Sequence, residues 1–259
     1  MDPVSSLVAG HVSGKLMDYI VSQFRSRVVE RWSKRRAEQF FDEFCREVNV
    51  ELSGGSSSKL DDLLSNILED EVRSEVLFDA YRRVCLAKSR SIGPRIIGIL
   101  TAELVLQNRT ATDAEDAMLG TAENLTDDEL LAYAAFFREQ MARALDPKTE
   151  DVKLTERGDL RIEWYKEQFD SNWRHDERVS IAPLDLAECI GRWALKMKSH
   201  GIILDDMKER QWEYKEDGER HIDQDGSVRE ISWWLTVPKA YFRLAELVER
   251  ASRGLAIET

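Results

Sequence analysis

Long apolar runs are missing from this chain. None of its 259 residues lies in a block of the roughly 18 uninterrupted apolar residues that a membrane-spanning helix needs. The most apolar window, residues 96 to 106, contains Glu103 and reads as a buried core helix. Cysteine is scarce, with three widely spaced residues (Cys45, Cys85 and Cys189), which excludes a dense disulfide scaffold. Only 5 prolines and 13 glycines occur, so the chain is neither collagen-like nor low-complexity. Positive charge is also in deficit: 37 Lys and Arg against 49 Asp and Glu leave a net charge of -12. A chain with that balance is not built as a whole to coat nucleic acid. The first residues carry Asp2 in place of a basic region, and their apolar residues form no single block, so no secretory signal is expected. That absence and the sparse cysteines predict a cytoplasmic protein.

Familiar reactive motifs are absent too. There is no Gly-x-Ser-x-Gly, phosphate loop or dinucleotide glycine fingerprint. No Cys-x-x-Cys, His-Glu-x-x-His or paired-histidine spacing marks a metal site, and no metal or other cofactor is expected. The segment from His221 to Gly226 has part of a calcium-loop spacing. Its twelfth position is Ser232, where a bidentate Glu is required, so a hairpin turn is the expected reading. No catalytic residue is assigned, and the cysteines are expected to be buried free thiols.

Hydrophobic residues make up 42% of the chain, enough for a sizeable core. Residues 1 to 146 read as a helical bundle. Val4, Leu7, Val8, Val12, Leu16, Tyr19, Ile20 and Phe24 begin an apolar stripe at helical spacing, with Gly10 and Gly14 allowing close contact. The stripe continues through Val28, Trp32, Phe40, Phe41, Phe44 and Val48. Ser53-Gly54-Gly55-Ser56-Ser57-Ser58 reads as a flexible linker, and residues 59 to 88 as one further helix. Pro94 suits a first helical position, and residues 96 to 106, apolar nearly all round, suit the central helix of the bundle. Capping boxes at Thr112–Glu115 and Thr126–Glu129 start two more helices, the second ended by Asp146-Pro147.

From residue 147 to 259 a smaller α+β module is expected, and six of the seven tryptophans lie there. Val152, Leu154, Leu160, Ile162 and Trp164 alternate about Arg157-Gly158 as a hairpin. Residues 183 to 200 read as a helix stopped by Gly201, and residues 208 to 215 and 227 to 236 as strands. Asp217-Gly218 and Asp225-Gly226 are turn signals between them, and residues 239 to 253 form a last helix ended by Gly254. The order helix, strand, long turn, strand, helix loosely resembles a winged-helix module over about 70 residues, in layout only. The fold class is therefore mainly α, a bundle followed by a module of that layout.

Charge and aromatic residues supply the binding candidates. Arg25, Arg27, Arg31, Lys34, Arg35 and Arg36 stand against Glu30 alone within twelve residues, and no acid interrupts residues 80 to 102, which hold Arg82, Arg83, Lys88, Arg90 and Arg95. Such faces bind phosphate or an acidic partner, or simply pair with Glu38, Asp42, Glu75 and Asp79 one turn away. Ser89-Arg90-Ser91-Ile92-Gly93-Pro94-Arg95 precedes a buried helix whose free N–H groups favour an anion. Trp233 and Trp234, adjacent in a strand, point to opposite faces, so one of them is open to a partner or covered by other packing. The candidate partner- or anion-binding residues are Arg31, Arg35, Arg82, Arg83, Arg90, Arg95, Trp233 and Trp234. The leading expectation is a non-enzymatic interaction protein with a protein partner. The alternatives are a nucleic-acid-associated regulator, with Arg192, Lys196 and Lys198 towards phosphates, and a membrane-active effector using residues 4 to 24.

Overall fold

The computed structural model describes residues 34–51, 67, 69–170, 185–215 and 225–256. The residues of the first apolar stripe before Lys34, Arg31, the 53–58 linker, Asp217-Gly218 and the residues from His221 to Gln224 lie outside them. The fold is mainly α with a small four-strand antiparallel sheet. It divides into two units, one made of Met1–Ala135 with Arg243–Thr259 and the other of Phe136–Phe242. The expected boundary at Pro147 followed the change in composition. The division instead falls earlier, inside a helix, and the last helix groups with the first unit. Among the described residues no helix is long and apolar enough to cross a membrane.

In the first unit, α1 (Lys34–Glu51) buries Ala37, Phe40, Phe41, Phe44, Cys45 and Val48, one face at three- and one-residue steps. The helix expected over residues 59 to 88 is interrupted at Asp70: Ile67 and Glu69 are helical, and helix α2 (Glu71–Leu86) begins anew after it. The Asp70 carboxylate accepts the Arg73 N–H at 3.0 Å and sets a fresh N-terminus. Helix α3 (Ile92–Leu106) is the central helix, buried on almost every side and packed by α1, α2 and α4 (Asp113–Asn124). It begins four residues before Ile96, so Pro94 occupies the third helical position, where a missing N–H still costs nothing.

Two glycines let α3 sit this close. A Cβ at Gly98 would lie 2.6 Å from the Phe40 carbonyl oxygen, and one at Gly93 would lie 2.3 Å from that of Ala122. Backbone oxygens cannot swing aside as a side chain can, so glycine here is a packing requirement. Both expected capping boxes form, at Thr112–Glu115 for α4 and at Thr126–Glu129 for α5 (Asp127–Leu145). The last helix, α8 (Phe242–Ala256), follows a short 3-10 turn, Lys239–Tyr241, and buries Leu244, Ala245, Leu247, Val248 and Ala251. It runs through Gly254, which therefore does not end it. Ion pairs from Arg243 to Glu103 and from Arg250 to Glu47 tie its polar margin to α3 and α1.

In the second unit, β1 (Val152–Leu154) and β2 (Leu160–Asp170) form the expected hairpin, with Gly158 at φ +83° in its turn. The segment 183 to 200 is not one helix. A short turn of helix, α6 (Leu186–Cys189), is broken at Gly191 (φ +122°) before α7 (Arg192–Ser199), and Gly201 (φ +72°) stops α7 as expected. Strands β3 (Leu204–Lys215) and β4 (Asp225–Val237) are longer than their apolar pattern. Asp225 and Gly226 are strand residues opposite Lys215 and Tyr214, so they do not form the turn. The sheet order is β1-β2-β4-β3. Its inner face buries Val152, Leu160, Ile162, Ile231, Trp233, Leu235 and Val237. The β2–β4 register shifts between Glu163 and Tyr165, leaving Trp164 as an extra residue whose ring meets Phe136 at 6.3 Å.

Replacing Gly98 by Ala should overpack the α1–α3 contact and cost about 1–3 kcal/mol, read as a lower urea midpoint. A second expected outcome concerns Glu115, which accepts two hydrogen bonds from the Arg109 guanidinium, at 2.6 and 2.7 Å. Together with the Thr112 backbone and hydroxyl, Arg109 holds this carboxyl down at about 2, against an ordinary 4.5. A depressed carboxyl contributes stability above its unfolded value, and that contribution is lost as pH falls from about 4.5 towards 2. Glu115→Gln should lower stability at neutral pH and flatten its decline across that acid range in urea titrations.

Candidate functional site

Among the described residues of the first unit, several of the candidate arginines are already engaged. Arg82 and Arg83 share Asp79, at 2.7 and 2.9 Å, and Arg83 also reaches Asp116 at 2.6 Å. Its guanidinium binding pulls the Asp79 carboxyl below its ordinary range against the opposing effect of burial. Arg95 is buried, 2% exposed, and pairs with Glu43 at 2.9 Å on the same oxygen that Arg46 holds at 2.8 Å. A sequence reading that turned Arg95 outward is corrected here: the guanidinium faces the α1 interior and offers nothing to a large partner. Arg35 and Arg90 are exposed.

The anion position expected at Ser89–Arg95 is filled by the chain itself. The Asp127 carboxylate, from the first turn of α5, accepts the backbone N–H groups of Arg90 (3.2 Å), Ser91 (3.3 Å) and Ile92 (2.9 Å) and the Ser89 hydroxyl. Ser89 Oγ in turn accepts the Gly93 N–H at 2.6 Å. The helix dipole and free amides attract a negative charge as the sequence implies, and that charge is internal.

Of the three cysteines expected to be buried, Cys45 is buried and Cys85 and Cys189 are only part-buried. Burial pushes the Cys45 thiol up to about 12, helped by Asp42, and raises Cys85 as well, so neither is a thiolate near neutral pH. Among the described residues no three His, Cys, Asp or Glu side chains come together as a metal site.

The outer face of the sheet differs. Trp233 is 5% exposed in the inner layer, while Trp234 lies half-buried on the outer one, as their alternation requires. Opposite and diagonal neighbours on this face are set by register. Lys153 faces Arg161, Arg161 faces Thr236, Glu163 and Asp206 flank Trp234, and Lys208 faces Ser232. The Arg161 guanidinium carbon sits 4.2 Å from the centre of the Trp234 ring, and Lys153 Nζ sits 5.5 Å from it. Trp234 Nε1 donates to Ser232 Oγ at 2.8 Å, which fixes the ring. Beside them opens a concavity of about 430 Å³ lined by Thr155, Glu156, Arg157, Asp159, Arg161, Asp206, Lys208 and Thr236. Asp159 also accepts the Lys239 N–H at 2.9 Å, which locks the hairpin turn to the end of β4.

Of the named candidates, the structure thus brings Trp234 to an open face and buries Trp233 and Arg95. Sequence reading missed Arg161, Lys153, Arg157 and Lys208. A signal existed: Leu160 and Ile162 are the apolar positions of β2, so Arg161 had to face the other way. On α7, Lys198 pairs with Asp205 at 2.7 Å and Arg192 is exposed. Comparison of the chain with protein-family models, curated proteins and solved structures gave no match.

Replacing Asp127 by Ala should strip four donors at the start of α3 of their acceptor. The loss is expected to reach about 2 kcal/mol or more, measured by urea unfolding, because those donors are largely enclosed.

Proposed function

We propose that this protein is a non-enzymatic interaction protein that holds a protein partner on the outer sheet face of its second unit. The observation that carries the reading is the Arg161–Trp234 stack at 4.2 Å beside the open concavity. Arg and Trp are the side chains most enriched where binding energy concentrates. Stacking holds both in place before a partner arrives, so little side-chain entropy remains to be lost. The lining of the concavity contains threonines, acids and cations, without histidine or cysteine. In the first unit, Arg82, Arg83 and Arg95 are neutralised by their own acids, which weakens the field a phosphate backbone would meet there.

The test is affinity capture with the tagged full chain from its own cells. A stoichiometric partner should be recovered, kept by Arg82→Glu, and lost by both Trp234→Ala and Arg161→Glu. No stoichiometric partner, or equal recovery by Arg161→Glu, overturns the proposal.

A further inference from the structure

Strand β3 ends the sheet, and among the described residues its outer edge has no neighbour. It runs for 12 residues, against 3 in the opposite edge strand, β1. Edge strands are commonly blunted by brevity, a proline or a bulge. β3 contains no proline, and its pairing with β4 is continuous in register from Leu204–Thr236 to Lys215–Asp225. Alternate residues of such a strand turn their N–H and C=O groups away from the neighbour they already have. Those groups match another extended backbone. Leu204 and Met207 are 47% and 51% exposed on this strand, and Asp206 and Lys208 on either side of Met207 are exposed as well. We infer that the edge takes the β3 strand of a second copy of this chain, antiparallel about a two-fold axis at Met207, so that two four-strand sheets join into one.

Charge and exposure select that register. A two-fold axis normal to a sheet keeps every residue on its own face, so one residue of the strand lies at the axis opposite its own copy. Among residues 205 to 210 only Met207 is uncharged, and any other axis in that span sets two like charges against each other. With Met207 central, Asp206 of each copy stands opposite Lys208 of the other, which gives two opposite-charge pairs on the outer face. Asp205 falls opposite Glu209, but Lys198 already holds Asp205 at 2.7 Å. An axis at Gln211 opposes Glu209 to Glu213. One at Trp212 carries Leu204 and Met207 past the end of the partner strand and leaves both uncovered. The other edge of the sheet points the same way. β1 covers β2 only at Leu160–Ile162, so β2 too has an uncovered stretch among the described residues. Pairing β3 with β2 of the next molecule repeats without closing, whereas β3 with β3 closes at two copies.

Sedimentation velocity on the full chain over a concentration series tests this. A monomer–dimer equilibrium is expected, with nothing larger. Asp206→Lys and Lys208→Asp, each alone, set like charges opposite one another at two places and should weaken the dimer roughly tenfold. The double exchange restores the opposed pairs without changing the net charge and should recover the dimer. Met207→Lys, which puts two cations at the axis, should also dissociate it, and thermal melts check that each variant folds. A monomer at every concentration, a dimer insensitive to the single exchanges, a double exchange that does not recover it, or growth beyond two copies overturns the inference. The capture experiment varies Trp234 and Arg161, on β4 and β2, so the partner reading and this one stand or fall separately.

Discussion

A helix buried along its whole length cannot leave its first amides to water, and α3 is such a helix. Its N-terminal N–H groups need an acceptor that the helix itself cannot supply. Asp127 supplies one carboxylate to three backbone amides and the Ser89 hydroxyl. That contact couples the start of α3 to the start of α5, 35 residues further on. Gly93 and Gly98 then allow neighbouring backbones to approach, and Arg95, carried inward by the same helix, requires Glu43 beside it. Burying that ion pair is not itself strong evidence of stability, since desolvation offsets much of the attraction. Removing one partner would leave an unmatched charge in the interior, and so the pair constrains how α1 and α3 meet.

Local chemistry was legible wherever a signal and its consequence lie within a few residues. The capping boxes at Thr112 and Thr126, the hairpin about Gly158, the stop at Gly201 and the opposed faces of Trp233 and Trp234 all follow from short-range rules. The central place of α3 was legible from its nearly continuous apolar surface. What failed were positions where tertiary packing decides. Gly254 looks like a stop, but Leu247, Val248 and Ala251 bury one face and the helix continues past it. Gly191, inside an apparently helical stretch, instead takes φ +122°, open to glycine because it has no Cβ, and breaks it; a Cβ there would also meet the Trp193 ring at 2.9 Å.

The candidate site shows the same limit. An arginine near a helix start reads as a surface cation, and only the partner 52 residues away reveals that Arg95 points inward. Conversely, Lys153, Arg161 and Lys208 belong to three strands: register sets Lys153 opposite Arg161, whereas Lys208 lies opposite Ser232, four residues along β4 from the Thr236 that Arg161 faces. The hairpin fixes Lys153 against Arg161, so two of those three residues were accessible to a period-two reading. Lys208 was not, because it depends on β3 pairing with β4 across residues that carry no local register signal.

Helices and sheet handle charge differently. Among the described residues of the helical unit, several acids and cations pair within one turn or across adjacent helices. On the sheet, alternation forces a full row of side chains outward whatever their charge, and β strands give no i,i+4 neighbour to absorb it. Cross-strand pairs could have done so, yet Arg161 faces Lys153 and Thr236, and Lys208 faces Ser232. Like charges opposite one another are destabilising in a sheet. Arg161 offsets that repulsion by stacking on Trp234, an arrangement that stabilises the fold modestly and leaves the guanidinium edges open. Acids share this face with the cations, since Glu163 and Asp206 flank the Trp234 ring that holds Arg161, so the face is mixed in charge and its order comes from the ring stack and the register rather than from ion pairs.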